Sequence, residues 1–497
     1  MASLHSILEL AREADKAENY SVALMNYRLF LKHETGDPQA WSDYAGLLLV
    51  MDRHEDCLSA CARALEIFPD FEPALLNKAS ALVGIDSFEE ARKIYERLLA
   101  LNPDRPDYIL ALQKFMYITG DAASTEPELL RALEIEPDNI DVLNTLISVY
   151  MIKNDHQKYR RYAEKLIDIK FKDSDKYLWE KSVIYLRLGD FREGFRLFEH
   201  RPSNQRKSGF NEPLWTGKPF SGRTLLLRWE QGFGDTIMML RYGPMVKALG
   251  GAVILYVQND LADLAKTCDG FDYVITNKDD KPNFDFQLPL MSLPLVSGTE
   301  LNTIPAQIPY LKIPPIVKNR EAIIDRLNNS DNPDNSDKSN KLNKPNKLKK
   351  IGLVWAGGKL YQNDRLRSIS PAFLPPFGRY TGAAWYSLQR ETPDLIPFDG
   401  VIPMADLMDS FADTAFVVSS MDLIVTVDTA MAHLAGALGK PTMLMLPFKP
   451  DWRWMLTRKD SPWYPSMQIY RQPSEGNWED VIEAVIDDLI ASRQNSP

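Results

Sequence analysis

Three short segments in the last three hundred residues carry the side chains best suited to chemistry. The first is QGFGD, residues 231–235, in which Gly232 and Gly234 precede Asp235. The apolar run before it predicts a strand, and the run after it predicts a helix. A Gly-x-Gly turn at such a junction often binds phosphate, but a carboxylate in the turn repels one. Asp235 is therefore either a helix cap or a base that takes a proton from an acceptor hydroxyl, and in the second case Gly232 and Gly234 let the substrate approach closely.

The second segment is VDTAMAHLAGALGKP, residues 427–441, which follows the predicted strand DLIVT. Asp428 or Thr429 can cap the helix that starts here, and small residues such as Ala430 let a ligand approach the backbone. Free amides and the helix dipole favour an anion, so we expect a diphosphate here, within reach of His433. The alternative is an ordinary capped helix with His433 packed in the core.

The third segment is WAGGKLYQNDRLRS, residues 355–368, which follows the predicted strand IGLVW. Its loop holds Lys359, Arg365 and Arg367 beside two glycines. Cations at the mouth of a cleft in an acidic protein indicate an anionic ligand. A solvated, charged loop is the alternative interpretation.

Alternating strands and helices position these three segments. Short apolar runs separated by helical stretches predict two α/β domains with parallel sheets, at 209–320 and 351–497. Between them, residues 321–350 are rich in Asn, Asp, Ser and Lys, which predicts a disordered linker or insertion. Open α/β sheets bind ligands at the carboxyl ends of their strands, so the three segments are expected to meet at a cleft.

Residues 1–208 carry an internal repeat. Pro69, Pro103 and Pro137 fall 34 residues apart, the period of the tetratricopeptide repeat, a helix-turn-helix unit. About six copies are predicted, and we expect the superhelix to bind a protein partner. Cys57 and Cys61 fall at its packing positions, which favours a place in the core over a metal or redox pair. The predicted starts are near residues 4, 38, 72, 106, 140 and 175.

Composition narrows the class of protein further. A net charge of −10 argues against nucleic acid as a partner, and no apolar run is long enough to span a membrane. We read no export signal at the acidic N-terminus, and three cysteines suit a reducing cytoplasm. One histidine beyond residue 200 excludes a multi-histidine zinc site there. The dinucleotide and serine-hydrolase fingerprints are absent, which argues against a dehydrogenase or a hydrolase.

Two of the segments resemble a known family. GFGD, and the Asp-Thr-Ala-x-Ala-His-Leu-Ala stretch followed by Gly-Lys-Pro, are similar to motifs of the heptosyltransferases of glycosyltransferase family 9. Ala430 replaces a usual glycine. The whole chain resembles bacterial proteins that fuse tetratricopeptide repeats to such a domain. The positions that match the second motif are Asp428, Thr429, His433, Leu434, Ala435, Ala437, Gly439 and Pro441.

The resemblance implies a GT-B fold of two Rossmann-like domains, with no metal and no cofactor beyond the nucleotide-sugar donor. It implies that Asp235 is the catalytic base, and that Thr429 and Ala430 hold the donor diphosphate with His433 in the same motif. Lys359 and Arg365 would support the phosphates. The expected activity is sugar transfer from a nucleotide-diphospho-sugar to a hydroxyl of a protein or glycan. The alternative is a catalytically degenerate scaffold that works only through its repeats.

Overall fold

The structure, a computed structural model, describes residues 4–103, 105–118, 126–205, 209–280, 283–329, 348–358, 364–390, 392 and 395–494. It divides into two units, Met1–Leu166 and Ile167–Pro497. In the described residues, no helix combines the length and apolar character that crossing a membrane requires.

The first unit is built from successive pairs of helices, which confirms the predicted repeats. Asp37 shows how a pair begins: its carboxylate accepts hydrogen bonds from the amides of Gln39 and Ala40 at 2.9 and 3.1 Å, and Pro38 occupies the first turn. The pairs are α1 (Leu4–Lys16) and α2 (Tyr20–His33), α3 (Pro38–Val50) and α4 (His54–Ile67), α5 (Glu72–Gly84) and α6 (Phe88–Leu101), α7 (Pro106–Ile118) and α8 (Glu126–Ile135), and α9 (Ile140–Ile152) and α10 (His156–Phe171).

The turn inside a pair recurs with the period of the repeat. Glu18, Asp52, Asp86 and Asn154 have φ angles of 58°, 54°, 58° and 55°, and they lie 34 or 68 residues apart. Aspartate and asparagine tolerate this left-handed conformation better than most residues. The 34-residue period therefore applies to the backbone conformation of the turn as well as to the sequence pattern.

The cysteines of the first unit lie where the repeat predicts. Cys57 and Cys61 are fully buried on α4, packed with Ala45 and Leu48 of α3, and their Sγ atoms are 3.9 Å apart. The core interpretation is confirmed, since both thiols fill space between helices.

A further helix pair, α11 (Tyr177–Arg187) and α12 (Phe191–Phe198), belongs to the second unit. It is the predicted sixth repeat, and its helices join at Gly189, whose φ is 80°. Phe191 stacks on Trp463 at 5.7 Å between ring centroids, and Phe195 meets Trp452 edge-on at 5.6 Å. The division between the units thus falls near the end of α10, before this pair, whereas the sequence places the boundary near residue 208.

Two parallel sheets form the rest of the second unit, which confirms the α/β prediction for the carboxyl-terminal part. The first sheet has the order β3-β2-β1-β4. Leu225, Leu226 and Leu227 at its centre are fully buried, because helices or loops cover both faces of a parallel sheet. Its strands are β1 (Thr224–Arg228), β2 (Ala252–Tyr256), β3 (Tyr273–Ile275) and β4 (Phe286–Pro289).

The second sheet has the order β10-β9-β8-β5-β6-β7, with every pair of neighbours parallel. This is the doubly wound order, in which the direction of winding reverses between the first and fourth strands, here β5 and β8. Its strands are β5 (Lys349–Val354), β6 (Ala383–Ser387), β7 (Ile402–Pro403), β8 (Leu423–Val427), β9 (Thr442–Leu446) and β10 (Met467–Arg471).

Helices connect and cover these strands. The predicted linker, 321–350, starts within one of them, α18, and ends in β5, while residues 330–347 lie outside the described part of the chain. The helices are α13 (Pro202–Gln205), α14 (Phe233–Met239), α15 (Gly243–Lys247), α16 (Ala262–Ala265), α17 (Leu293–Val296), α18 (Arg320–Asn329), α19 (Asp364–Arg367), α20 (Phe411–Ser420), α21 (Ala430–Ala437) and α22 (Glu479–Gln494).

Candidate functional site

The three predicted segments all lie at carboxyl ends of parallel strands. QGFGD follows β1, the loop from Trp355 follows β5, and the turn at Asp428 follows β8. Because β5 and β8 are the neighbours between which the winding reverses, the last two segments flank the switch point of the second sheet. Helices α14 and α21 bring the first sheet's segment to the same place.

Asp235 lies in the first turn of α14 and is held on both carboxylate oxygens. Oδ2 accepts a hydrogen bond from the amide of Gly232 at 2.9 Å, so Asp235 does cap its helix. Oδ1 accepts from Nη2 of Arg453, which belongs to the second sheet. Burial raises the pKa of Asp235 above its usual range, although the charge of Arg453 opposes that shift.

Gly234 permits a close approach between α14, which follows the first sheet, and α21 of the second. A Cβ atom at this position would lie 2.7 Å from Cδ2 of His433 on α21. The absence of a side chain therefore lets α14 and α21 pack against each other. Gly232 contributes through its amide instead, with φ at −70° and ψ at 174°.

His433 is packed rather than open to a ligand. Its side chain is buried, its Nδ1 atom is 2.9 Å from the Tyr464 hydroxyl, and its ring stacks on Trp454 with centroids 5.4 Å apart. Burial, reinforced by nearby arginines, lowers the pKa of His433 well below 6.5. The imidazole is therefore neutral at pH 7, as the core interpretation requires, and contact with a phosphate stays a prediction.

Thr429, and not Asp428, caps α21. Its hydroxyl accepts a hydrogen bond from the amide of Met431 at 3.2 Å, and Ala430 begins the helix. Burial and the nearby charge of Asp451 raise the pKa of Asp428 to about 6. Asp428 is accordingly a carboxyl group that changes charge close to neutral pH.

The basic loop reaches the switch point through Arg367. Arg367 donates from Nη1 to the backbone carbonyl of Asp428 at 2.6 Å, and its Nε donates to Asp364 at 3.0 Å. A Cβ on Gly357 would overlap both of those side chains, so the glycine makes room for them. Arg365 is exposed, and Lys359 lies outside the described residues.

Arg453 is the functional candidate that sequence reasoning did not single out. It lies after β9 in a short 3₁₀ turn, Trp452–Trp454, capped by Asp451. Nη1 donates to Asp451 at 2.7 Å, and the guanidinium carbon lies 4.4 Å from the centre of the Trp452 ring. The available signal was an arginine between two tryptophans in a loop after a buried strand.

A second buried arginine, Arg241, also connects α14 with residues that pack against α21. Arg241, after α14, donates from Nε to the Met238 carbonyl at 2.8 Å and from Nη2 to the Tyr310 hydroxyl at 3.2 Å. Its guanidinium carbon lies 4.4 Å from the centre of the Tyr464 ring, the residue that also contacts His433. The relative position of α14 and α21 is thereby set by buried polar contacts.

Two cavities of the second unit lie away from these residues. One of 790 Å³ is lined by α18, β6 and β7, and one of 710 Å³ by residues 189–192, 300–302, Arg458 and Pro462. Neither contains a predicted site residue. The candidate site is therefore a set of facing polar groups at the sheet edges rather than one of these cavities.

Comparisons with known proteins support the repeats. A sequence profile of the tetratricopeptide repeat matches residues 56–114. Protein FlbA of Caulobacter vibrioides is 25% identical over 513 residues, which cover 95% of this chain and 81% of FlbA, so the similarity runs through both units. The repeats imply interactions with protein partners.

Solved structures also match part of the chain. The type IV pilus biogenesis factor PilW is 18% identical, with a TM-score of 0.34, over 40% of this chain and 91% of PilW. A tetratricopeptide repeat protein from Parabacteroides merdae is 14% identical, with a TM-score of 0.33, over 40% of this chain and 78% of its own.

Proposed function

We propose that the second unit is a glycosyltransferase of GT-B type that moves a sugar from a nucleotide-diphospho-sugar to a hydroxyl acceptor. The observation that carries the proposal is the contact of Asp235, on the helix after β1, with Arg453 of the second sheet's side, whose charge also acts on Asp428 in the turn before α21. A donor on one sheet and an acceptor on the other would place the reacting atoms between them.

The donor diphosphate is assigned to the start of α21. Thr429 caps this helix through the Met431 amide, and the helix dipole favours negative charge at the switch point, where the helix begins. Arg367, bonded to the Asp428 carbonyl, supplies a cation beside the turn. Lys359 and Arg365, from the same loop, are assigned as further ligands of the phosphates.

Asp235 is assigned the role of general base. In the reaction, Oδ1 of Asp235 takes the proton of the acceptor hydroxyl while the acceptor oxygen bonds to the anomeric carbon. The bond from that carbon to the phosphate oxygen breaks, and the nucleoside diphosphate leaves with the electron pair. Burial suits the role, because a carboxylate with a raised pKa holds a proton better than an ordinary one.

The repeats are assigned the recruitment of a protein, which serves as the acceptor or as a partner enzyme. We place the reaction in the cytoplasm, which the three free cysteines fit.

A second candidate, a scaffold without turnover, is favoured by one observation. Both oxygens of Asp235 are engaged, one by the Gly232 amide and one by Arg453. A carboxylate that stays in this arrangement caps a helix and joins two sheets without ever taking a proton. The repeats alone would then carry the function.

Binding and turnover of the donor separate the two candidates. The full chain is heated with ADP, GDP, UDP, CDP and their sugar conjugates, and unfolding of the second unit is followed separately. A ligand at 100 times its Kd stabilises the unit that it binds by about 2.7 kcal/mol. One responding nucleotide, with release of that nucleotide from its sugar conjugate when acceptor is present, supports the transferase.

Two threonines of the second sheet make a matched pair of variants. Thr429→Val removes the hydroxyl at the start of α21, and the loss of one hydrogen bond from it to the diphosphate, worth roughly 1 kcal/mol, should weaken nucleotide binding about fivefold. Thr442→Val removes a buried hydroxyl at the opposite end of the sheet, where it bonds the Lys440 carbonyl, and should leave binding unchanged. No response to any nucleotide from folded protein would favour the scaffold.

A further inference from the structure

Arg453 has three acidic neighbours, and one of them, Asp235, comes from the helix that follows the first sheet. Its side chain is 9% exposed, and its two terminal nitrogens bond Asp235 from the first sheet and Asp451 from its own turn. Asp428 is close enough for each charge to shift the pKa of the other. One guanidinium therefore serves several carboxylates at the point where the donor diphosphate is proposed to bind.

The guanidinium still has a hydrogen to donate. Its Nε atom is buried and has no hydrogen-bond partner within the described part of the chain. A buried N–H without an acceptor is costly, and a phosphate oxygen is a strong acceptor for an arginine. The forked shape of the group lets Nε and one terminal nitrogen bond a phosphate while the other keeps Asp451.

We propose that Arg453 is a ligand of the donor diphosphate, and that donor binding transfers it from Asp235 to the phosphate. This inference rests on the proposed function of the same site. The transfer leaves Oδ1 of Asp235 free to accept the proton of the acceptor hydroxyl. Arg453 then neutralises the nucleoside diphosphate as the bond to the anomeric carbon breaks.

The transfer makes donor binding a condition for an active base. Asp235 paired with Arg453 cannot reach an acceptor proton, so an acceptor that binds first is not deprotonated. Asp235 and the diphosphate also compete for one cation. Removing the charge of Asp235 should consequently strengthen nucleotide binding, whereas a bridge that only stabilises the fold predicts equal or weaker binding.

The test measures the Kd of the responding nucleoside diphosphate by titration calorimetry with the full chain. Asp235→Asn, whose amide oxygen can still accept from the Gly232 amide, should bind about fivefold more tightly than the natural protein. Asp406→Asn is the matched control, because Asp406 pairs with Arg326 at a surface position of the same unit. It should leave the Kd unchanged.

A second variant, at Arg453, keeps the positive charge and removes the guanidinium group. Arg453→Lys can still pair with Asp235 but lacks Nε, and it should bind the nucleotide about tenfold more weakly. An unchanged Kd for Arg453→Lys, or equal or weaker binding by folded Asp235→Asn, overturns the transfer while leaving the proposed function standing. Failure of the natural protein to bind any nucleoside diphosphate overturns both.

Discussion

Glu126 in the first unit and Asp235 in the second both lie beside cationic side chains, yet their pKa values shift in opposite directions. Glu126 accepts hydrogen bonds from Lys158 at 2.7 Å and from Tyr150 at 2.9 Å, and also pairs with Lys153. The two lysines lower its pKa to about 2. Burial outweighs Arg453 at Asp235 and raises its pKa.

The contrast extends to the ion pairs of the two units. In the repeats, Arg97 on α6 pairs with Asp70 in the loop before α5, and both side chains are about half exposed. In the second unit, Arg201 is fully buried, with Glu230 at 3% exposure and Ser292 as a further partner. Solvated pairs add little to stability, whereas a buried charge is destabilising when its partner is lost. We therefore expect the exposed pairs of the repeats to tolerate changes of charge that the buried Arg201–Glu230 pair does not.

The largest expected effect comes from breaking a buried pair. Arg201→Ala leaves the Glu230 carboxylate buried without its bidentate partner and should lower the free energy of unfolding of the second unit by about 3–5 kcal/mol. Arg97→Ala, its exposed counterpart in the repeats, should change the first unit by less than about 0.5 kcal/mol. Denaturant titrations that resolve the unfolding of both units measure the two changes in free energy. Equal changes would contradict the expected difference between buried and exposed ion pairs.

Next in size is the loss of the proposed base. Asp235→Asn should slow sugar transfer about 10²–10⁴-fold, because the amide cannot take the acceptor proton. The same variant is expected to bind nucleotide more tightly, so affinity and turnover move in opposite directions. The measurement is the rate of sugar transfer at saturating donor for Asp235→Asn, with Asp406→Asn as control. An unchanged rate in Asp235→Asn would rule Asp235 out as the base.

Acid should act on the first unit through Glu126. Since the folded pKa, about 2, lies below the unfolded value near 4.5, Glu126 stabilises the fold above pH 4.5, and this contribution is lost as the pH falls toward 2. Glu126→Gln should cost about 1 kcal/mol at pH 7, a figure reduced for partial exposure, and the cost should vanish only once the pH is well below the folded pKa of about 2. Urea unfolding of the first unit across this pH range measures the difference, with Glu66→Gln, an exposed surface pair, as control.

The smallest expected effect is the pH dependence of donor binding. Asp428 has a folded pKa of about 6, so its charge repels the diphosphate above pH 6 and disappears below it. The neighbouring charges are Asp451, Arg367 and Arg453, and of these only Asp451 opposes binding of the diphosphate. Affinity for a nucleotide sugar, whose phosphates do not titrate here, should rise a few-fold from pH 7.5 to 5.5. Asp428→Asn should remove that slope, and a slope that persists would exclude Asp428 as its source.

The repeats were predictable because their signal is periodic. Prolines 34 residues apart located the helix pairs, and the structure starts the first helix of successive pairs at Leu4, Pro38, Glu72, Pro106 and Ile140. Each repeat packs mainly on its neighbours, so local sequence determines local structure. The placement of α11 and α12 with the sheets was missed, since it depends on partners such as Trp463 far along the chain.

The candidate site was predictable only as separate parts. Helix caps such as Thr429 and Asp235 are local features, and the sequence proposed both. The contact between Asp235 and Arg453 joins positions 218 residues apart and leaves no periodic trace. The neutral, packed state of His433 likewise depends on Trp454 and Tyr464, which the linear motif does not contain.

The packing of α12 against the tryptophans sets where the chain can be divided for expression. A fragment that starts at residue 209 would lose Phe191, Phe195 and Phe198 and uncover Trp452 and Trp463 to water. Such an apolar patch promotes aggregation, so this fragment should be insoluble. A fragment that starts near Ile167 keeps the patch covered. We therefore expect this fragment, rather than the one from residue 209, to yield the two sheets as folded protein without the first unit.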